Sequence, residues 1–176
     1  DFLPDVDALS ACITPKTKAI IINSPNNPTG VIYDAGTIEK IAAVLRQKSA
    51  EYGTDIYIIA DEPYRELAYD GVEVPYIPNF YENTIVAYSF SKSLSLPGDR
   101  IGYLVIPSTV SDFAEVSMGA AIANRVLGFV NAPALQQMVV ARCCEETTDV
   151  AFYNANRELL YNALQEYGYT CAKPQG

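Results

Sequence analysis

The sequence predicts an α/β fold with a mainly parallel sheet flanked by helices. Short runs rich in β-branched residues, typical of buried parallel strands, lie between longer segments with helical periodicity. Strands and helices alternate along the chain, as they do in layered α/β domains. The chain has 176 residues, 49% of them hydrophobic, which is enough to bury one sizeable core.

Four strands are expected. Residues 18–23 (KAIIIN) and 55–60 (DIYIIA) are apolar runs bounded by turn-forming residues, and we expect both to be buried strands. Residues 84–88 (TIVAY) and 103–106 (YLVI) are the third and fourth strands. The link between these two carries no obvious crossover helix, which favours an antiparallel fourth strand.

Helices account for the longer segments. In the first, apolar residues follow the i, i+3, i+4, i+7 spacing, Asp34 is a suitable N-cap and Gly53 a suitable stop. Pro133 suits the first turn of a later helix. The expected helices cover residues 37–52, 111–124, 134–145 and 150–167.

The composition excludes several classes of function. The chain has no histidine, so it can form no Ser-His-Asp triad, Cys-His dyad or histidine-ligated metal site. Its net charge of -9 argues against binding nucleic acid or an anionic membrane. We expect no signal peptide, and the longest uncharged run, residues 126–141, is too short to span a bilayer.

The cysteine pattern predicts neither a zinc site nor a disulfide framework. No CxxC pair occurs, and two of the thiols are adjacent in sequence. Free thiols in a reducing cytosol are therefore expected. The four residues are Cys12, Cys143, Cys144 and Cys171.

Polar clusters follow each of the first three predicted strands: residues 26–30 (NNPTG), 61–64 (DEPY) and 89–92 (SFSK). Each alone has an ordinary structural explanation, as a turn, a helix cap or a solvated surface lysine. Ligands in open α/β sheets bind beyond the carboxyl ends of the strands. The occurrence of polar clusters at three such ends favours a shared functional crevice.

The side chains of these clusters suit one cofactor chemistry. They supply an acid, a phenol, an amide, hydroxyls and a lysine, with an arginine shortly downstream and no metal site. Pyridoxal 5'-phosphate requires a lysine for its Schiff base and an acidic partner for its pyridine nitrogen. It also requires donors for its ring oxygen and cations or hydroxyls for its phosphate.

Three segments carry a family resemblance: residues 24–30 (SPNNPTG), 61–64 (DEPY) and 89–102 (SFSKSLSLPGDRIG). In this order and spacing they resemble the fold-type I aminotransferases of class I/II, in the aspartate aminotransferase superfamily. The resemblance covers nearly the whole chain. It implies a pyridoxal-phosphate-dependent transaminase that moves an amino group between an amino acid, with aspartate as the expected donor, and a 2-oxo acid.

The resemblance implies roles for four residues around the cofactor ring. Lys92 would form the Schiff base and then carry the proton between the substrate's α-carbon and the cofactor's C4' carbon. Asp61 would pair with the pyridinium N–H and keep the ring an electron sink. Tyr64 and Asn27 would hydrogen-bond the ring's phenolic oxygen.

The resemblance also implies residues that bind the cofactor phosphate and glycines that let the chain pass close to the site. Ser89 and Arg100 would bind the phosphate, the latter through its guanidinium fork. Gly98 and Gly102 would let the chain pass close to the site. The resemblance also implies a cytoplasmic homodimer in amino-acid metabolism and biosynthesis, with residues 127–133 near the dimer interface.

By the same resemblance, the chain is expected to be part of a longer protein. Residues 1–168 would belong to the large cofactor-binding domain, and residues 169–176 would begin the small C-terminal domain. The family's glycine-rich phosphate loop and ring-stacking aromatic residue would precede this segment, and its carboxylate-binding arginine would follow it. We expect the segment alone to bind cofactor weakly and to lack transaminase activity.

Three alternatives remain at this point. The spacing of Ser89 and Lys92 matches the SxxK motif of serine acyl enzymes, but their SDN and KTG companions are absent and the motif follows a strand. A lyase or decarboxylase of the same fold would use the same cofactor residues. An aminotransferase-like ligand-sensing domain of a transcription regulator would also retain the lysine and the aspartate.

Overall fold

The computed structural model describes residues 2–176, so residue 1 of the expected 1–168 portion lies outside the described residues. The sheet has the order β1-β2-β3-β4. The first three strands are parallel and β4 runs antiparallel to β3. The predicted fold class and the antiparallel fourth strand are therefore confirmed. The strands are β1 (Ala19–Asn23), β2 (Tyr57–Asp61), β3 (Thr84–Ser89) and β4 (Gly102–Val105).

The four predicted helices are present within two residues of their expected bounds. Two further helices, seven and four residues long, were too short for periodicity to predict. Pro133 is the residue before the first turn of its helix, and not within that turn. The helices are α1 (Val6–Cys12), α2 (Ala35–Tyr52), α3 (Phe90–Ser93), α4 (Phe113–Val126), α5 (Ala134–Cys143) and α6 (Val150–Glu166). Two 3-10 turns, Ile77–Asn79 and Pro97–Asp99, complete the described elements.

Helix α2 covers one face of the sheet and forms the core with it. The Asp34 carboxylate accepts a hydrogen bond from the Thr37 N–H (2.7 Å), and Gly53 ends the helix in the left-handed region at φ 62°. Both predicted caps are thus confirmed. The buried side chains on the two sides of this layer include Ile38, Ile41, Ala42 and Leu45 from α2, and Ile22, Ile58, Ala60 and Val86 from the strands.

The expectation that the first strand is buried is wrong for part of it. β1 lies at a sheet edge, and Ile21, on the face opposite α2, is 74% exposed. A run of β-branched residues indicates a strand, but it does not show which strands have neighbours on both sides. Helices α4 and α5 have no buried residue, and α6 buries only Arg157.

No helix within residues 2–176 combines the length and the apolar character needed to cross a membrane.

Close approach of β4 to the end of β3 depends on a glycine. Gly102 pairs with Ser89, and a Cβ at this position would collide with the Tyr88 carbonyl oxygen and lie 3.2 Å from the Ser89 Cα. The close approach at Gly102 is thus to the end of β3, whereas a Cβ at Gly98 would meet no atom of the described residues within 4 Å. Passage of both glycines close to a bound cofactor stays a prediction.

The last residues of the chain are bound to the turn that follows β1. The N–H groups of Gln175 and Gly176 both donate to the Gly30 carbonyl oxygen (2.6 and 3.2 Å). The Gln175 side-chain oxygen accepts a hydrogen bond from the Ile32 N–H (3.1 Å), and its carbonyl accepts one from Tyr69 (2.8 Å). Residues 174–176, the C-terminal strap, thereby restrain the turn.

A buried arginine holds the C-terminal strap in place. The Arg157 side chain, 5% exposed, donates to the Pro174 carbonyl oxygen (2.7 Å) and to the Asp70 carboxylate (2.9 Å). Its guanidinium also lies 4.5 Å from the centroid of the Tyr69 ring, close enough for a cation–π contact. Arg157 therefore joins α6, the loop at residues 69–70 and the strap.

We expect Gly102→Ala to destabilise the protein much more than Gly98→Ala. Overpacking against fixed backbone costs about 1–3 kcal/mol, whereas a surface substitution stays within about 0.5 kcal/mol. Urea unfolding of the two variants measures the difference in their free energies of unfolding. Equal free energies of unfolding for the pair would contradict the close β3–β4 approach.

We expect Arg157→Ala to release the C-terminal strap. Loss of a buried hydrogen bond from a charged group costs about 1.5–3 kcal/mol. Hydrogen exchange should accelerate at the Gln175 and Gly176 amides. Arg46→Ala is the matched control, because Arg46 also contacts a carboxylate, a carbonyl and a ring, but its side chain is 50% exposed. Loss of the Arg46 contacts should cost about 0–1 kcal/mol. Unchanged hydrogen exchange at Gln175 and Gly176 in Arg157→Ala would show that Arg157 does not hold the C-terminal strap.

Candidate active site

The carboxyl ends of the three parallel strands bring the predicted clusters to one edge of the sheet. Asn23 pairs in register with Asp61, and the next strand, β3, ends at Ser89. Asp61 is the last residue of β2, whereas the sequence predicted that it follows the strand. Because the strands run in the same direction, their final side chains share one edge.

Asp61 is half-buried and has one free carboxylate oxygen. Burial raises the pKa of its carboxyl above the ordinary value, and a hydrogen bond from the Asn23 amide to Oδ2 (3.1 Å) partly opposes this rise. Within residues 2–176, Oδ1 accepts no hydrogen bond. The carboxylate can therefore accept a proton donor from a bound molecule.

The turn after β1 presents an amide to a phenol. The Asn27 side-chain amide donates to the Tyr64 hydroxyl (2.9 Å), which joins the first and second clusters. The turn is closed by the Gly30 N–H donating to the Asn26 carbonyl (2.8 Å), with Gly30 at φ 67°. The Asn26 side-chain oxygen accepts a further hydrogen bond from the Thr29 hydroxyl (2.6 Å). Asn27 is thus held on a well-braced turn.

Lys92 lies beside the same phenol. It belongs to the short helix α3, and its amine nitrogen is 5.8 Å from the centroid of the Tyr64 ring. No carboxylate within residues 2–176 forms an ion pair with it. An amine without a salt-bridge partner is available for covalent chemistry with an aldehyde.

Within residues 2–176, no hydrogen bond joins the side chains of the two residues predicted to bind phosphate. The Ser89 hydroxyl pairs with the Ser91 hydroxyl (2.7 Å) and accepts a hydrogen bond from the Ser91 N–H (3.2 Å). The Arg100 guanidinium donates to the Pro97 carbonyl oxygen of its own turn (3.0 Å). Within the described part of the chain it bonds to no other predicted site residue.

Ser89 also bears on the serine acyl enzyme alternative. It is both the end of β3 and the N-cap of α3, so the motif does open a short helix, contrary to the expectation from sequence. The Ser89 hydroxyl nevertheless pairs with Ser91, and not with the Lys92 amine that such an enzyme would need as its base.

Sequence reasoning missed Asn23, which it treated as the end of a strand. Its side-chain amide contacts both Asp61 and the Asn27 N–H, to which it is an acceptor (2.8 Å). The available signal was a polar residue closing an otherwise β-branched run. The Asn23 side chain therefore joins the turn of the first cluster to Asp61 of the second cluster.

Glu62, the second residue of the DEPY cluster, supports the loop below the site. Its side chain is 2% exposed, and burial raises its pKa, while Arg65 opposes the rise through a 3.0 Å ion pair. Arg65 in turn donates to the carbonyl oxygens of Val74 and Pro75 (2.9 and 3.2 Å). This pair therefore orders the loop that follows Tyr64.

The donor set at this edge fits pyridoxal 5'-phosphate. It offers a carboxylate with one free oxygen, an amide and a phenol in contact, and an unpaired lysine amine. Within residues 2–176 no three His, Cys, Asp or Glu side chains are placed to hold a metal ion. The structure connects four predicted site residues here. Asn23 joins Asp61 to Asn27. Asn27 contacts Tyr64, and the Lys92 amine lies beside the Tyr64 ring.

Comparison with known proteins gives consistent matches. The family model for aminotransferase class I and II matches residues 1–176. The chain is 33% identical over its whole length to aromatic-amino-acid aminotransferase 2 of Thermococcus litoralis, of which it covers 44%. It is 32% identical over its whole length to an aspartate aminotransferase of Pyrococcus horikoshii, again covering 44%.

A solved structure agrees with these relatives. The crystal structure of an amino transferase from Eubacterium rectale is 50% identical, with a TM-score of 0.97, and the match covers 99% of this chain and 44% of that one. The chain therefore spans less than half the length of the proteins it matches.

These relatives and the solved structure are all named as aminotransferases. The family match extends over every residue of the chain, including the three motif segments. The chain belongs to the class I and II aminotransferase family.

Proposed function

We propose that the natural protein containing this chain is a pyridoxal-phosphate-dependent aminotransferase with Lys92 as its Schiff-base lysine. One observation carries the proposal, namely a continuous set of contacts at the sheet edge. The Lys92 amine lies beside the Tyr64 ring, and the Tyr64 hydroxyl accepts the Asn27 amide. The Asn27 backbone and the Asp61 carboxylate meet on the Asn23 side chain.

When bound, pyridoxal 5'-phosphate supplies an electron sink for the bonds at a substrate's α-carbon. Asp61 holds the proton on the ring nitrogen. Its Oδ1, which accepts no hydrogen bond within residues 2–176, would accept that N–H, while Oδ2 accepts the hydrogen bond from Asn23. A half-buried carboxylate interacts more strongly with a cationic ring than one in water would.

Asn27 and Tyr64 orient the ring through its phenolic oxygen. The Tyr64 hydroxyl accepts its hydrogen bond from Asn27, so its own proton is free to donate. The Asn27 amide has a second N–H for the same purpose. With the cofactor bound, these two donors would hold its phenolic oxygen, while Asp61 would hold its ring nitrogen.

Lys92 moves the proton of the reaction. Its amine has no carboxylate partner among the described residues, and with the cofactor bound it would carry the proton between the substrate's α-carbon and the cofactor's C4' carbon. The short helix α3, capped by Ser89, limits the motion of this side chain to its own four-carbon stem. Transfer of an amino group needs both positions to be within its reach.

We further propose that Ser89 and Arg100 bind the cofactor phosphate. The Ser89 hydroxyl stands at the end of β3, beside the lysine segment. Arg100 is exposed, and within residues 2–176 its guanidinium donates only to the Pro97 carbonyl oxygen, so it can exchange this contact for a phosphate at little cost.

Substrate, assembly and location are proposals of the same kind. Aspartate is the proposed donor, with an aspartate aminotransferase among the relatives in support. A homodimer with residues 127–133 near its interface is supported by the exposure of Leu127, Phe129 and Val130. The free cysteines support a reducing cytoplasm. Residues 1–168 and 169–176 are proposed to belong to the large and small domains.

Lys92→Ala should abolish the covalent adduct with pyridoxal 5'-phosphate, because no amine remains at this position. Reduction with borohydride followed by mass analysis of peptides from the natural protein measures the adduct. Lys40→Ala, on the exposed side of α2, is the control and should retain it. A reducible adduct in Lys92→Ala would place the Schiff base on another lysine.

Asp61→Asn should lower kcat by about 10²-fold or more, the usual effect of removing one preorganised electrostatic partner. The substitution keeps the shape of the side chain but removes the charge that holds the ring proton. Asp55→Asn is the control, because Asp55 lies just before the start of β2, at the opposite end of the strand from Asp61. This variant should leave kcat close to that of the natural protein. Transfer is measured as 2-oxo acid formed from aspartate and 2-oxoglutarate. Release of ammonia or carbon dioxide instead would contradict the aminotransferase assignment.

A further inference from the structure

We propose that Asn23 is a positioning residue that fixes Asp61 and Asn27 relative to each other through a single side-chain amide. The consequence for catalysis rests on the function proposed above. The contacts themselves do not, because they lie entirely within this chain. Asn23 would act on the cofactor only through the two residues that it holds.

One end of the Asn23 amide acts as a donor and the other end as an acceptor. Its Nδ2 donates to the Asp61 carboxylate and to the Asp61 carbonyl oxygen, both at 3.1 Å. Its Oδ1 accepts from the Asn27 backbone N–H at 2.8 Å and from the Asn26 side chain at 3.4 Å. One rigid planar group therefore serves the acid and the turn together.

The chemistry of the neighbours allows only this orientation of the amide. A flipped Asn23 would set its oxygen against the acceptor oxygens of Asp61 and its NH₂ group against the Asn27 N–H. Both contacts would be repulsive. The direction of the two hydrogen bonds is therefore determined by the partners themselves.

The backbone determines that the amide spans two strands. Asn23 and Asp61 are paired in the parallel register at the last position of β1 and β2. At this point the turn carrying Asn27 leaves the sheet. A side chain at position 23 is consequently placed between the acid and the turn, and the asparagine amide offers both a donor and an acceptor there.

The hydrogen bond to Asp61 also has an electrostatic effect. Burial raises the pKa of Asp61, and the N–H donated by Asn23 lowers it by stabilising the charged form. Within residues 2–176 these are the two influences on this carboxyl. Removing the donor should therefore raise the pKa of Asp61 further and make its charge less available to the ring.

Two substitutions separate the donor from the acceptor. Asn23→Asp keeps an acceptor for the Asn27 N–H but replaces the donor to Asp61 with a second carboxyl, whose like charge also raises the pKa of Asp61. Asn23→Ala loses both. Asn83→Ala is the matched control, because the Asn83 amide likewise donates to an aspartate (Asp55, 3.4 Å) and accepts a backbone N–H (Ser111, 2.8 Å). Asn83 precedes β3, at the edge of the sheet opposite the site.

The first test uses NMR on the full natural protein without cofactor. The carboxyl signal of Asp61 is titrated, and hydrogen exchange is measured at the Asn27 amide. Asn23→Ala should raise the pKa of Asp61 and accelerate exchange at Asn27 about tenfold, the effect of one lost hydrogen bond. Asn23→Asp should raise the pKa but leave the exchange nearly unchanged. Asn83→Ala should change neither.

Unchanged titration and exchange in Asn23→Ala would overturn the proposal, as would equal changes in Asn83→Ala. Because Asn23→Asp is nearly isosteric with the natural residue, it keeps the test valid if the alanine variant fails to fold. Altered exchange at Asn27 in Asn23→Asp would show that the two bonds do not act separately, and it would overturn the division of roles proposed here.

The second test adds pyridoxal 5'-phosphate and follows its absorbance. Asn23→Ala should weaken cofactor affinity about tenfold relative to the natural protein, whereas Asn83→Ala should not. If the natural protein itself forms no reducible adduct, the proposed function fails, and the NMR measurements still decide the role of Asn23. If the natural protein binds the cofactor and Asn23→Ala binds it equally well, the positioning role fails alone.

Discussion

The parallel register of β1, β2 and β3 is the constraint on which the site depends. Parallel strands end at the same edge, so side chains far apart in sequence become neighbours without any further device. Asn23 and Asp61, which are 38 positions apart in the chain, meet at hydrogen-bonding distance for this reason. The antiparallel β4 then returns beside the end of β3, and Gly102 permits the close contact there. A slip of one residue by β2 relative to its neighbours would turn Asp61 to the other face of the sheet.

Much of the fold and part of the site could be predicted from sequence. Strand and helix identity follows from periodicity, as the caps Asp34 and Gly53 of α2 illustrate. The exposure of Ile21 on β1 within residues 2–176 could not be predicted, because a run of isoleucines does not reveal which face of a strand a helix covers. The contact between Asn27 and Tyr64 follows from their motifs and from the convergence of strand ends. The orientation of Arg100 does not, since it depends on the dihedral angles of its own turn.

Asn23 illustrates a more general limit of motif reading. A motif singles out residues that contact a ligand, and residues that hold them are read as ordinary structure. Here the polar side chain ends a strand whose other members are apolar, and its partners lie in two different motifs. Its role becomes visible only when the register of the sheet is known.

The C-terminal strap has a consequence for how the site is completed during folding. Ile32 and Gln175, joined by a hydrogen bond, are 143 positions apart, so one of the longest loops in the chain must close before the turn carrying Asn27 is fully restrained. The sheet and α2 are built from contacts much nearer in sequence and can form first. During synthesis the turn would leave the ribosome long before its last restraint does. The turn carrying Asn27 therefore gains its last restraint only after nearly all of this segment has been translated.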